Sequence, residues 1–317
     1  MSAGKPFRFG ATCAQLTDRA GWQQTARQVA DTGYDVLTVV DHIGSPGIWS
    51  ALVSAHDAAP GLRVGTLVLN NDLWNPAVLA REAATTDLLT DHSLEIGIGA
   101  GWNAGDYTGA GITRHGPGTR VDRLGETLRV LDAALSGRPV DHAGEHYRID
   151  SGGTPWRPAD LPHIPLLVGG GSRRVLQLAA RHADIVSVHR NMEHGSAAKS
   201  WQAETGDQGP HLDAMAKKVA WITEAAGPRL PALTLHALIL KLVVTDRRDE
   251  AIDRLARAQN LPPDHLRSSP HFLVGTAAQI TDDLRRRRER WGISYWTLAP
   301  GNDITAFAPV VAALAGN

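Results

Sequence analysis

Cysteine is almost absent: among 317 residues only Cys13 carries a thiol. An internal disulfide is therefore excluded, a cytosolic location is expected, and Cys13, in an apolar strand, reads as core filler rather than as a nucleophile. Lysine is scarce too, confined to positions 5, 199, 217, 218 and 241, so arginine supplies most of the positive charge. The net charge of −1 gives no field to recruit nucleic acid or an anionic membrane. No window approaches the ~18 uninterrupted apolar residues of a membrane span. The opening Met1-Ser2-Ala3-Gly4-Lys5-Pro6 has no apolar stretch of the kind a signal peptide requires. Metal chemistry lacks its spacings: there is no His-x-x-Glu-His or Cys/His pattern, His142 and His146 fall in a hairpin, and no metal is expected. No Gly-x-Ser-x-Gly elbow supports an acyl-transfer serine.

What is present is alternation. Short β-rich apolar runs exchange with amphipathic stretches along the chain, the pattern of successive βα units. Strands are expected at 7–11, 36–40, 63–70, 94–98, 166–168, 184–188, 235–244 and 294–298. Helices are expected at 22–32, 76–89, 120–135, 173–182, 211–226, 249–258 and 276–291. Residues 140–149 read as a hairpin insertion, 155–165 as a Pro-rich connector and 191–209 as a polar surface loop. The four arginines 285–288 have acidic neighbours and read as a solvated helix face. Eight strands with interleaved helices predict an α/β fold, one (β/α)8 TIM barrel with insertions spanning residues 1–317.

In such a barrel the βα loops at the C-terminal ends of the strands build the active site. Four stretches qualify. Asp41-His42 ends the second strand, where a carboxylate and an imidazole can shuttle a proton near neutral pH, although a structural pair closing a turn would look the same. Leu67-Val68-Leu69-Asn70 ends the third strand as an apolar wall with one amide at its tip. Gly97-Ile98-Gly99-Ala100-Gly101-Trp102 has alternating glycines that let a ligand approach the backbone, but not the spacing of the dinucleotide fingerprint. Gly169-Gly170-Gly171-Ser172 lies between a strand and a helix, where free amides and the helix dipole make an anion site. Arg173 and Arg174 could add charge there; a tight turn using glycine is the plainer alternative. Trp49, Trp74 and Trp102 fall after strand ends and could line an apolar substrate pocket.

These stretches, in this order, resemble the bacterial luciferase-like monooxygenase superfamily. The most specific signature is Pro76-Ala77-Val78-Leu79-Ala80-Arg81-Glu82-Ala83-Ala84-Thr85 followed by residues 94–102, with Val168–Ser172, 178–184 and Gly292-Ile293-Ser294-Tyr295 matching the second half. Within it, Arg120-Val121-Asp122-Arg123-Leu124, Gly144-Glu145-His146-Tyr147 and Ser269-Pro270-His271 resemble the branch assigned to coenzyme F420. The resemblance implies a deazaflavin or flavin lying across the barrel mouth. It implies a non-prolyl cis peptide at Leu67-Val68 backing the ring, and cofactor contacts from Asn70, Gly101, Trp102 and Gly105. It places the phosphate at Gly169, Gly170, Gly171 and Ser172, and catalysis at His42 oriented by Asp41. Sugar-phosphate dehydrogenases of this superfamily have a glutamate immediately after the glycine at 101; Trp102 stands there, which rejects that substrate.

The leading expectation is hydride transfer between F420 and an apolar, aromatic or unsaturated small molecule. An FMN-dependent monooxygenase is the alternative, since both cofactors carry the same ring–ribityl–phosphate unit, and a non-catalytic flavin-binding protein is a further one. The longer acidic tail of F420 would favour a basic groove, for which Arg190, Lys199, Lys217 and Lys218 are a source. A homodimer is the family expectation. Neither nucleic acid nor membrane is expected as a partner.

Overall fold

A computed structural model describes residues 5–190 and 211–317. Eight strands form its central ring, numbered here in chain order: β1 Arg8–Cys13, β2 Val36–Val39, β3 Arg63–Thr66, β4 Leu94–Gly99, β5 Leu166–Gly170, β6 Ile185–Val188, β7 Thr234–Ile239 and β8 Ile293–Leu298. Each pairs in parallel with its neighbours in sequence, and β1 pairs with β8, so the ring closes into a TIM barrel. The strands are apolar runs without alternation because helices cover them outside while their inner side chains fill the barrel; β2, β4, β6 and β8 are buried at every position.

The helices start and stop where local chemistry dictates. Pro76–Leu89 opens on a proline at its first turn, with the Asn75 side chain accepting from the Ala77 amide. Ala277–Trp291 has a complete capping box from Thr276 and Gln279 and ends at Gly292, whose φ of 74° suits glycine. Of its four consecutive arginines, three lie on or near the surface, but Arg287 does not: it is buried and donates to the Pro270 and Phe272 carbonyls. The helix face expected to be wholly solvated thus tethers the neighbouring insertion.

Three segments depart from the sequence reading. The run at 235–244 is two strands: β7 stays in the barrel, while Lys241–Val244 turns out at Leu240 to pair in parallel with Phe272–Gly275. Ten extended residues would span about 33 Å, more than the barrel wall accommodates, and the outer pair has its own apolar cluster around Ile252, Leu266 and Phe272. The run at 63–70 is broken after Thr66 by the cis peptide Leu67–Val68, and Leu69–Asn70 resumes against β4. The glycine-rich stretch after β4 contains a helix, Ala104–Ala110, capped by Asn103 and closed by Gly111 at φ 67°. The loop expected at 191–209 lies outside the described residues.

The hairpin Asp141–Ala143/Arg148–Asp150 is clasped by one carboxylate. Glu126 accepts from the amides of Glu145, His146 and Tyr147 at 2.9, 3.1 and 3.0 Å and contacts the His142 ring at 3.1 Å. A side chain at Gly144 would collide with this carboxylate, which accounts for Gly144-Glu145-His146-Tyr147 as a structural clasp. Burial disfavours the charged form, yet the His142 and amide hydrogen bonds outweigh it and hold the pKa below the ordinary value. Because the folded pKa is depressed, the stabilisation is present above the unfolded glutamate pKa and is lost as pH falls through the folded one. Glu126→Gln, which puts an N–H among the donors, is expected to cost about 1–3 kcal/mol. Urea unfolding checks the loss, and hydrogen exchange at 145–147 should speed up selectively.

Candidate active site

At the C-terminal end of the barrel a cavity of about 440 Å³ opens between the loops. Its wall is assembled from the ends of all eight strands, among them Thr12, His42, Asn70, Gly101, Ser172 and His189.

His42 stands beyond β2 with its side chain 37% exposed and its Nδ1 at 2.8 Å from Asp106 Oδ2. Asp106 is buried at 4% and its second oxygen accepts from the Ile43 amide at 3.1 Å. The carboxylate therefore holds the Nδ1 proton and leaves Nε2 as the basic atom, with no partner among the described residues. The Trp102 indole stands edge-on to the imidazole, centroids 5.9 Å apart. Asp41 does not orient His42, contrary to the sequence reading. Its Oδ2 accepts from the Asn70 amide at 2.8 Å and from Trp74 Nε1 at 2.9 Å. Successive residues at a strand end point in different directions, so Asp41 pins the bulge after β3 while a residue 64 positions on meets His42. Burial raises the Asp41 pKa, with the Asp106 charge adding to it, against the opposing hydrogen bonds from Trp74 and Asn70 and the His42 charge.

The bulge forms one wall. Leu67, Val68 and Asn70 line the cavity, and the Val68 side chain projects over a floor of glycines. A Cβ at Gly97 would strike the Thr66 carbonyl, and one at Gly99 or Gly169 would press on Val68 at 3.1 or 3.2 Å. Gly101, at φ 74°, sits against the Asn70 amide and the Tyr107 hydroxyl, where no side chain fits. Asn70 is 5% exposed; its Oδ1 accepts from the Asp72 amide and Tyr107, but its Nδ2 has no partner among the described residues. A buried amide donor without an acceptor beside a flat, close-backed wall fits a planar heterocycle bearing a carbonyl. Arg120, buried on the same side, donates to the Gly101 carbonyl, and its Nε has no partner among the described residues.

Gly169 and Gly170 belong to β5, and Gly171-Ser172 leads into the helix Arg173–His182. All four line the cavity. A Cβ at Gly170 would collide with Val175, so glycine lets the helix start close against the strand. Ser172 caps the Val175 amide, while the first-turn amides of Arg173 and Arg174 have no intrahelical acceptor and suit a phosphate. The two arginine side chains are committed elsewhere, Arg173 to Glu224 and Arg174 to Asp122, so the loop offers backbone donors and dipole rather than side-chain charge.

Gly105, Trp49 and Trp74 lie off the cavity. Gly105 is exposed in the short helix, its amide satisfied by Asn103. Trp49 is in the helix Ile48–Ala58 and packs edge-on to Trp74, centroids 5.6 Å apart; both stand behind Asp41 rather than in the cavity wall. Of the basic residues, Arg190 lines the cavity, Lys218 is buried with Nζ on the His189 carbonyl at 2.8 Å, and Lys217 lies over Trp221. Lys199 is outside the described residues. Sequence reasoning missed Asp106, Tyr107 and His189. Asn103, a good N-cap before a short helical stretch, was the available signal for the first two; His189 follows β6 directly and obeyed the strand-end rule. Among the described residues no group of three His, Cys, Asp or Glu is placed to hold a metal ion, and no helix is long and apolar enough to cross a membrane.

Residues 6–295 match the family model described as luciferase-like monooxygenase. An FMNH2-dependent dimethylsulfone monooxygenase of Pseudomonas putida is 26% identical over 192 residues, 60% of this chain and 51% of the relative. The chain spans about half the length of the curated relatives it matches. The coenzyme F420-dependent tetrahydromethanopterin reductase of Methanopyrus kandleri has a TM-score of 0.70 and 16% identity, over 96% of this chain and 97% of that one. An F420-dependent secondary alcohol dehydrogenase solved with an F420–acetone adduct has a TM-score of 0.73 and 18% identity, over 97% and 99%. At those identities the solved structures share the barrel fold with this chain.

Proposed function

The chain belongs to the luciferase-like monooxygenase family, and on that premise we propose that it transfers a hydride between coenzyme F420 and an apolar, unsaturated small molecule. The family makes it an oxidoreductase; the choice of cofactor and substrate is our reading. The observation that carries it is the His42–Asp106 pair at the mouth of a cavity whose opposite features suit a planar ring and a phosphate. When bound, the deazaflavin supplies a two-electron donor or acceptor at one ring carbon.

The chain's own residues supply the rest. Asn70 Nδ2 would hold a ring carbonyl, Val68 and the glycines of β4 and β5 would back the ring, and the amides before Arg173–His182 would take the phosphate. His42 Nε2 would move the proton that must accompany hydride transfer, giving it to the reduced substrate or taking it from a hydroxyl. Asp106 fixes the ring and stabilises the imidazolium. Trp102 stands edge-on against the same imidazole ring. Arg120, in the wall beside Gly101, favours the acidic tail of F420 over a cofactor lacking one.

Separate titration of the purified protein with F420 and with FMN tests this. Tight F420 binding with weak FMN binding is expected. Tight FMN binding without F420 binding would reassign the chain to the oxygen-activating monooxygenases, and binding of neither would remove the flavin reading altogether.

A further inference from the structure

The cavity holds a second histidine with the opposite chemistry to the first. His189 follows β6, which lies across the eight-strand ring from β2 and His42. The backbone N–H of Arg190 donates to His189 Nδ1 at 2.9 Å, so in the neutral ring the proton sits on Nε2. Among the described residues Nε2 meets no acceptor, on a side chain that lines the cavity. The His271 ring packs against it at 5.2 Å with 30° between planes, and His271 is itself held through Nδ1 on the Leu238 carbonyl at 2.8 Å, which keeps the His189 ring from turning. The ends of β7 and β8 give the cavity an apolar stretch of wall: Leu238, Leu240, Ala299 and Pro300.

We propose that His189 determines substrate specificity by donating its Nε2–H to a carbonyl oxygen, so that the substrate is an apolar carbonyl compound rather than a plain hydrocarbon. This rests on the proposed function in one respect, the assignment of the β3–β5 side of the cavity to the cofactor, which leaves the β6–β8 side to the substrate. A neutral donor fits this role better than a cation. Burial first, then the Arg190 and Lys218 charges, push the His189 pKa down to about 3, so the ring stays uncharged and keeps one N–H throughout the working range. It cannot serve as a base. The same two cations favour an oxygen bearing partial negative charge, as a conjugated carbonyl does. A hydrocarbon at that position would leave the N–H buried and unpaired, a penalty the carbonyl compound avoids.

The test is equilibrium dialysis of the F420-loaded protein against two probes, the enone benzylideneacetone and the diene in which CH2 replaces its carbonyl oxygen. The wild-type protein is expected to bind the enone roughly tenfold more tightly. His189→Gln, whose amide N–H reaches a similar point, should keep that preference, whereas His189→Leu should abolish it, with the enone bound more weakly and the diene at least as tightly as by the wild-type protein. Equal binding of both probes by the wild-type protein, a preference retained in His189→Leu, or equal loss in both variants would overturn the proposal. So would an unchanged preference accompanied by weaker F420 binding, which would give the N–H to the cofactor. If neither F420 nor FMN binds, the functional reading fails separately, and the probe ratio measured without cofactor still decides the role of His189.

Discussion

His42→Ala is expected to lower turnover by about 10²–10⁴-fold while leaving cofactor affinity nearly unchanged, the range seen when a positioned acid–base group is removed. The separation follows from the geometry. The cofactor features cluster at the ends of β3 to β5, at Asn70, Gly101 and the Gly169–Ser172 loop, whereas His42 stands beyond the end of β2 and contacts Asp106 and Trp102. Asp106→Asn provides the companion measurement. An asparagine amide can donate to Nδ1, which would shift the imidazole proton to Nε2 and take away the basic atom facing the cavity. A loss of roughly 10²-fold is expected for that variant, smaller than for the alanine, with the His42 ring still present. Asp41→Asn should behave differently, disturbing the bulge after β3 and weakening cofactor binding, because its carboxylate holds Asn70 and Trp74. Full turnover in His42→Ala would remove the assigned role, and equal behaviour of the two aspartate variants would remove the distinction between them.

That distinction shows what the sequence could and could not convey. The barrel was legible because periodicity and strand-end position are local properties: helix Pro76–Leu89 and the hairpin lie where the pattern put them. The cis peptide at Leu67–Val68 has no local signal, and it entered through family resemblance. The partner of His42 was not legible, because adjacency along the chain suggested Asp41 while the fold brings Asp106 across from a helix that glycine-rich composition disguised as a loop. The same composition misplaced Trp49, which a helix start turns away from the cavity. Arg120 was visible only as part of a motif; its contact with the Gly101 carbonyl supplies the physical reason for it. Local patterns thus located the walls of the site, while the pairings inside it depend on contacts between distant strand ends.

A pairing of that distant kind should also carry the largest stability effect. Arg157 Nη2 lies 2.8 Å from Asp87 Oδ2, with side-chain exposures of 2% and 1%, and the same guanidinium donates to the carbonyls of Leu135, Leu161 and Pro162. Asp87 also meets the His92 ring at 2.8 Å. Arg157→Ala leaves a buried carboxylate with the His92 ring alone and takes the donor from several carbonyls, and it is expected to destabilise the fold by about 3 kcal/mol, read as a lower urea midpoint. Replacing both partners by leucine should cost less than the single change, since no uncompensated charge then remains. The consequence extends to the site. Arg157 anchors the proline-rich connector that feeds β5, and β5 carries Gly169 and Gly170 into the cavity wall. Below the new unfolding midpoint, the single variant should bind cofactor more weakly yet turn over at the wild-type rate once loaded, because His42 follows β2 and Asp106 lies in the helix Ala104–Ala110, away from the connector. A turnover defect at saturating cofactor would show instead that the connector is coupled to the acid–base pair.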